Sequence, residues 1–439
     1  MHRKPCKLES LTFKSVQCNK GVSLNLIKWF RTPQSPDITE ENFVNVQIDA
    51  VGVGLGNSAS QILSVFLTRL GATSLQVGLL TTMPGITGLF FAILIGRFLQ
   101  KQKNIVQWFS SSRLLVIGSY GLTGLVPFIF KDPQVAIIAI LCIWAFATLP
   151  QTVLAISFSV VMNAVAGPAG RYELMTRRWS ILGLTTSLVA LAIGQVLVSL
   201  KFPINFQTVF LTTSIGSIIS YTFSSRIKIA DIQAAEPLPG PNFREKVHSY
   251  FQQISSNRPF ISFVAKRFVY LTGVNLGLPL FPLYFVRQIH ASDSWIAAIN
   301  TAQTAILIIG YFFWTRQSRR RGSRFVLLLT TFGLSSYPIL TAFTQNPALI
   351  VIYAGIAGVF QAGINLVFFD ELLKTIPPQY SATFVSVAQS LEYCAAIAAP
   401  LLASLFAETI GLSGALLVSG SLRLLGAFLF LVDHSPQIK

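Results

Sequence analysis

FVNVQIDAVGVGLGNSASQILSVFLTRLGATSLQVGLLTTMPGITGLFFAILIGRFLQKQKN, residues 43–104, decides the reading of this chain. An apolar run of about 25 residues reaches Leu67, a short turn follows at Arg69–Ser74, a second run ends near Phe98, and a basic loop closes the pair. At a rise of about 1.5 Å per residue, each run is long enough to cross a hydrocarbon layer of about 30 Å. The triplet Gly52-Val53-Gly54-Leu55-Gly56 lies inside the first run, without the strand and turn that a dinucleotide loop needs. Gly52 and Gly56, four apart, are therefore expected to let a neighbouring helix approach closely.

The pattern continues outward from this stretch. Apolar runs lie at about 43–67, 75–98, 112–130, 135–163, 179–200 and 207–227, then at 262–286, 294–315, 324–343, 348–373, 381–406 and 412–432. The fold class expected is an all-α integral membrane protein with twelve transmembrane helices. Its parts are a basic cytoplasmic tail over 1–42, an N-terminal six-helix bundle over 43–227, a linker over 228–261 containing Pro237, Pro239, Gly240 and Pro241, a C-terminal six-helix bundle over 262–432, and a short cytoplasmic tail over 433–439. Within the first tail, residues 24–30 form a candidate membrane-surface segment.

Composition agrees, with 52% hydrophobic and 11% charged residues and a net charge of +17. The cations sit in the gaps between apolar runs rather than on a folded face, which sets aside a nucleic-acid partner. Of the 33 Lys and Arg residues, 28 fall in the tails, the even-numbered loops and the ends of the runs beside them, and four, Arg69, Lys131, Lys201 and Arg287, in the odd-numbered loops. Cations are retained on the cytoplasmic side, so both termini are expected there, in the cell (inner) membrane. The four cysteines and four histidines form no metal or disulfide pattern, and no nucleophile–base set or phosphate loop is present, so no cofactor and no enzymatic role are expected.

The two halves share landmarks. Ser112-Arg113 and Pro127 are matched by Ser323-Arg324 and Pro338, both separated by 211 residues. Phe66-Leu67-Thr68-Arg69 before one short turn is echoed by Tyr284-Phe285-Val286-Arg287 before another, and Pro168 and Pro378 occupy corresponding loops. Such duplication is the mark of many transporters.

On these landmarks, and on Gly96–Asn104 and Arg316–Arg324 as glycine-bearing basic loops after spans 2 and 8, the chain resembles the major facilitator superfamily over residues 43–432. That family places Asp in the first of these loops, where this chain has Gln100. The resemblance implies two pseudo-symmetric six-helix halves, with spans 1, 4, 7 and 10 around a central cavity. It also implies secondary active transport of a small solute by alternating access, with proton or other ion coupling as a further partner beside the lipid bilayer. The alternative within the same fold is a non-transporting factor that assembles or delivers pigment, lipid or protein components.

Polar residues in the spans expected near that cavity are Asn57, Gln61, Gln151, Asn275, Asn300, Gln303, Gln361 and Asn365. Each is a candidate for solute contact or for bonding between helices. Ionisable residues at depth are costly unless paired or hydrated, which singles out four more. Asp49 lies about 10 Å into its span and matches Arg267 at an offset of 218, so the two are expected to serve a cytoplasmic-end ion pair. Glu392 and Arg423, about 16 and 14 Å deep in consecutive helices, are expected to pair with each other.

Overall fold

The computed structural model describes residues 32–229, 252, 254–291 and 293–432; the side chains of residues 61, 68, 74, 75, 78, 81, 293, 294 and 297 lie outside that description. The surface segment expected at 24–30, most of the linker and the last seven residues also lie outside it.

Twelve helices make up the described chain, with no strand among the described residues. They are α1 (Glu40–Arg69), α2 (Ser74–Gln100), α3 (Ile105–Ile129), α4 (133–166), α5 (168–199) and α6 (Ile204–Ser224), then α7 (Arg258–Leu283), α8 (Asp293–Arg321), α9 (Ser323–Ala342), α10 (Pro347–Lys374), α11 (381–410) and α12 (412–432). Helix α4 passes into α5, and α11 into α12, without a loop. Each junction is a single glycine, Gly167 at φ 59° and Gly411 at φ 75°, in the left-handed region where a side chain is disfavoured. A straight helix of 67 residues would be about 100 Å long, three bilayers deep, so a fold-back is required.

Eight continuous helical runs, two of them these folded pairs, are long and apolar enough to cross a bilayer. The remaining two helices, α6 and α8, carry more hydroxyl and amide side chains.

Local chemistry sets the helix starts. Thr73 and Gln76 form a reciprocal capping box at α2, and the Asn104 side chain accepts the Gln107 N–H at α3. Asp132-Pro133 opens α4 and Asn346-Pro347 opens α10, each with an Asx cap followed by proline at the first helical position. These two starts are 214 residues apart, another copy of the repeat.

Within the first half α6 packs on α1 and α3; within the second, α8 packs on α10, and α7 on the α11–α12 run. A Cβ on Gly52 would lie 2.6 Å from the Gly216 carbonyl, so α1 and α6 touch backbone to backbone as the small residues predict. Gly56 faces Ile117 of α3 instead. Large apolar side chains such as Phe90, Phe146, Leu191 and Val198 are exposed on the outside of the bundle. A water-facing protein would bury them; here they mark the lipid face of an integral membrane protein.

The halves meet along α2 against α11 and α5 against α8. Gly85 faces Ile397 and Gly183 faces Ile308 near mid-helix; Gly88 abuts Tyr393, and Gly96 abuts Ser386 further toward the basic end.

Candidate functional site

Between the halves, about 14–16 Å of helical rise from the basic end, lies a cavity of about 360 Å³. Helices α4 and α5 supply Ala155, Phe158, Ser159 and Trp179, and α7, α10 and α11 supply Arg267, Tyr270, Gln361, Asn365, Phe368, Phe369, Gln389 and Glu392. The first half thus gives an almost wholly apolar wall, and the second half gives every charged and amide group.

Two polar chains cross the second-half wall. Arg267 Nη2 donates to Glu392 Oε2 at 2.8 Å, and Gln389, one turn before Glu392, donates to the same oxygen at 3.4 Å. Gln361 Nε2 donates to Asn365 Oδ1 and Asn365 Nδ2 to the Tyr311 hydroxyl, both at 2.9 Å. Tyr311 in turn lies against Trp179 across the boundary between halves, ring centres 5.5 Å apart, and Phe369 bridges Phe158 and Trp179. These aromatic rings join the two halves beside the cavity.

Beyond the rings, polar bonds tie the halves together. Arg171 meets Asp370 at 3.3 Å, and Lys374 holds the other Asp370 oxygen at 2.6 Å. Thr176 bonds Thr315 hydroxyl to hydroxyl. Gln100 at the end of α2 accepts the Ala382 and Thr383 N–H groups at the start of α11, at 3.1 and 3.4 Å, and donates to the Gln379 carbonyl. The orphan donors at that helix start are therefore met by a neutral side chain. Buried Glu173 accepts the backbone N–H groups of Gln34 and Ser35 at 2.8 and 3.1 Å and the Arg177 guanidinium at 3.0 Å, and Arg319 of the second half reaches it at 3.2 Å. The segment before α1 is further pinned by the Asp37 carboxylate, which accepts the Ala169 N–H at 3.2 Å.

Of the residues singled out in the sequence, Arg267, Gln361, Asn365 and Glu392 line this cavity. Asn57 and Asn300 are exposed on α1 and α8, while Gln151 and Gln303 are half-buried on α4 and α8. Asn275 is half-buried on α7 and bonds its own helix through the Leu271 carbonyl at 2.9 Å. The Gln61 side chain is outside the described residues.

The ion pairing differs from expectation in both cases. Arg423 does not meet Glu392: it is buried against α7, donating to the Gly273 and Val274 carbonyls at 3.3 and 3.5 Å. Gly273 and Gly277 leave the notch it fills; a Cβ on Gly277 would lie 2.6 Å from its guanidinium. Equal depth in consecutive helices says nothing of the direction around each axis, and Arg423 is turned toward α7. Asp49 and Arg267 do not pair either. Asp49 is fully buried in the first half, bonded by Arg178 at 3.2 Å and Ser220 at 2.5 Å, with Arg113 at 3.6 Å.

A symmetry emerges that depth alone concealed. Asp49 on α1 pairs with Arg178 on α5, and Arg267 on α7 pairs with Glu392 on α11. These are corresponding helices, at offsets of 218 and 214, with the signs exchanged. Their environments also differ: the Asp49 and Arg178 side chains are 0% and 3% exposed, those of Arg267 and Glu392 13% and 36%. Only the second-half copy opens to the cavity. Sequence reading passed over Phe158, Trp179, Phe369 and Tyr311, because aromatics abound in apolar spans; Gln389 could have been found from its one-turn spacing to Glu392.

Residues 267–439 match the family model described as Major Facilitator Superfamily. The whole fold is similar to solved transporters of that class. A bacterial homologue of the iron transporter ferroportin, in an outward-facing state, gives a TM-score of 0.70 at 15% identity, over 89% of this chain and 98% of that one. FucP in the outward conformation, from the E. coli fucose:proton symporter, gives 0.70 at 12% identity, over 89% and 97%. The human organic anion transporter MFSD10 gives 0.65 at 14% identity, over 90% and 100%.

The chain carries the major facilitator superfamily fold. No curated protein matches its sequence. Within the major facilitator superfamily fold, the cavity lies where two six-helix halves face each other, and the substrate-blind features of the fold, twelve helices and duplicated halves, are those read from the sequence.

Proposed function

We propose that this protein is a secondary active transporter that carries a small solute across the cell (inner) membrane by alternating access, with both termini in the cytoplasm. The carrying observation is a mid-depth cavity lined by both halves, with inter-half bonds between it and the basic end. Rocking the halves apart at that end would break side-chain contacts while leaving each bundle intact, which is the economy of the mechanism. With the basic end inside, the closed face is cytoplasmic, in keeping with the outward states of the ferroportin homologue and FucP. Solute contacts are assigned first to Arg267, Gln361, Asn365 and Glu392, with Asn57, Gln61, Gln151, Asn275, Asn300 and Gln303 along the path. Glu392, partly exposed beside Arg267, is the group through which a proton gradient would couple.

The test is uptake by sealed proteoliposomes across a broad solute panel, with and without an imposed pH gradient. Saturable uptake that collapses when introduced cysteines cross-link α2 to α11 at the basic end is the expected result. Folded protein that moves no solute on the panel, yet copurifies with a stoichiometric protein complex, would overturn it.

A further inference from the structure

The cavity's charges come as one pair, and that pair is incompletely used. Arg267 has five N–H donors, yet among the described residues it makes one hydrogen bond, to Glu392 Oε2; its Nε is buried without a partner. Glu392 Oε2 receives both Arg267 and Gln389, while Oε1 accepts nothing from the described residues in a side chain 36% exposed. Opposite this pair the wall is Phe158 and Trp179, with the Ser159 hydroxyl and the Trp179 indole N–H as its polar groups.

We infer that the cavity is built for a zwitterion of no net charge, with an ammonium and a carboxylate on one end and a flat apolar body on the other, as in an aromatic α-amino acid. The inference rests on the transporter reading and names its solute class. A carboxylate alone would bring an uncompensated negative charge beside Glu392, and an amine alone an uncompensated positive charge beside Arg267. A zwitterion exchanges one ion pair for two, carboxylate to Arg267 and ammonium to Glu392, and leaves the site neutral. The flat body then lies on Trp179 and Phe158, which offer area and ring stacking, with the Trp179 indole N–H as their one donor. A sugar fits less well, because most hydroxyls around its ring would face a wall that offers only the Ser159 hydroxyl and the Trp179 indole N–H. A volume of about 360 Å³ stands at the small end of the range of ligand sites, about 300–1,000 Å³, and suits a solute of this size.

The test is binding of radiolabelled L-phenylalanine to the purified full-length protein, in competition with its N-acetyl derivative, its amide and D-glucose. The N-acetyl compound keeps only the anion and the amide only the cation. Phenylalanine should bind, and each blocked derivative should compete at least about tenfold less well, the cost of losing one charge-assisted contact. Trp179→Ala should weaken phenylalanine about tenfold or more while weakening glycine little, a split that general misfolding would not produce. Glu392→Gln and Arg267→Gln should each abolish binding, and the double Gln variant, melting as a folded protein, should remain blind to both head groups. The inference is overturned if N-acetylphenylalanine or the amide competes as well as phenylalanine, if glucose displaces it, or if nothing on this short panel binds. In the last case, uptake of another solute by the broad panel would leave the transporter reading standing while removing this one.

Discussion

Asp49 faces Arg178, Arg113 and Ser220 inside the first half with none of its side chain exposed, so one carboxylate answers two buried cations. Asp49→Asn leaves both guanidinium groups without a counter-charge and is expected to destabilise the protein by about 3–5 kcal/mol, the cost of breaking a buried pair from one side. Melting in detergent checks it, with Glu392→Gln as comparison; the Arg267–Glu392 pair is partly hydrated, so its loss should lower stability less. An equal drop for the two variants would mean that burial is not what separates the pairs. Asp49, Arg267, Glu392 and Arg423 were all visible in the sequence as ionisable residues in apolar runs. Their partners were not, because hydropathy reports depth along a helix, whereas pairing depends on the direction each side chain takes around it. Arg423 shows the difference: its partners are carbonyl groups exposed by two glycines of α7, a site with no charge to mark it.

Gln100 joins two elements, the end of α2 and the start of α11, through bonds to Gln379, Ala382 and Thr383. Because it is neutral, this joint keeps its strength across pH and salt, while Arg171–Asp370 nearby is an ion pair and the Glu173–Arg319 contact is half open to water. Gln100→Ala removes the three bonds and should shift the population toward opening at the basic end. Distances between spin labels on α2 and α11 should broaden to longer values there, and an unchanged distribution would assign closure to the other inter-half contacts, Arg171–Asp370, Thr176–Thr315 and Glu173–Arg319. At this scale most of the architecture was legible: all twelve apolar runs correspond to helices, and the paired prolines at 127 and 338 lie inside α3 and α9. The ends were less so. Helix α8 continues through Arg316 to Arg321, past the apolar run ending near 315, since backbone hydrogen bonds carry on where hydrophobicity stops. The loopless junctions at Gly167 and Gly411 fall in the gaps 164–178 and 407–411 between apolar runs, the first of them expected as a loop around Pro168, because a positive φ leaves no trace in hydropathy.

Across the whole molecule, duplication has kept the positions of an ion pair and exchanged its signs, burying one copy and opening the other to the cavity. The cavity itself was only half legible: four of its polar residues stood out in the spans, but its aromatic wall belongs to helices that come together only when the halves do. The proposed sidedness rests on the charges, with 28 of 33 cations in the tails, the even-numbered loops and the parts of the runs beside them. Reporter fusions after residues 70, 132, 202, 290 and 345 should give outer-side signals, and inner-side signals at two or more would reverse or break this map. The segment before α1 adds a lopsidedness of another kind. Glu173 holds four donors, of which Gln34, Ser35 and Arg177 ride with the first half and Arg319 alone crosses to the second. Arg319 is also the wet member, 48% exposed against 4% for Glu173, so water can take its place as the halves part. Under the proposed alternating access the socket would survive opening with three of its four donors seated. Reclosing would then be the docking of one side chain into a mould that never came apart, which makes the return stroke at this contact a search by Arg319 alone.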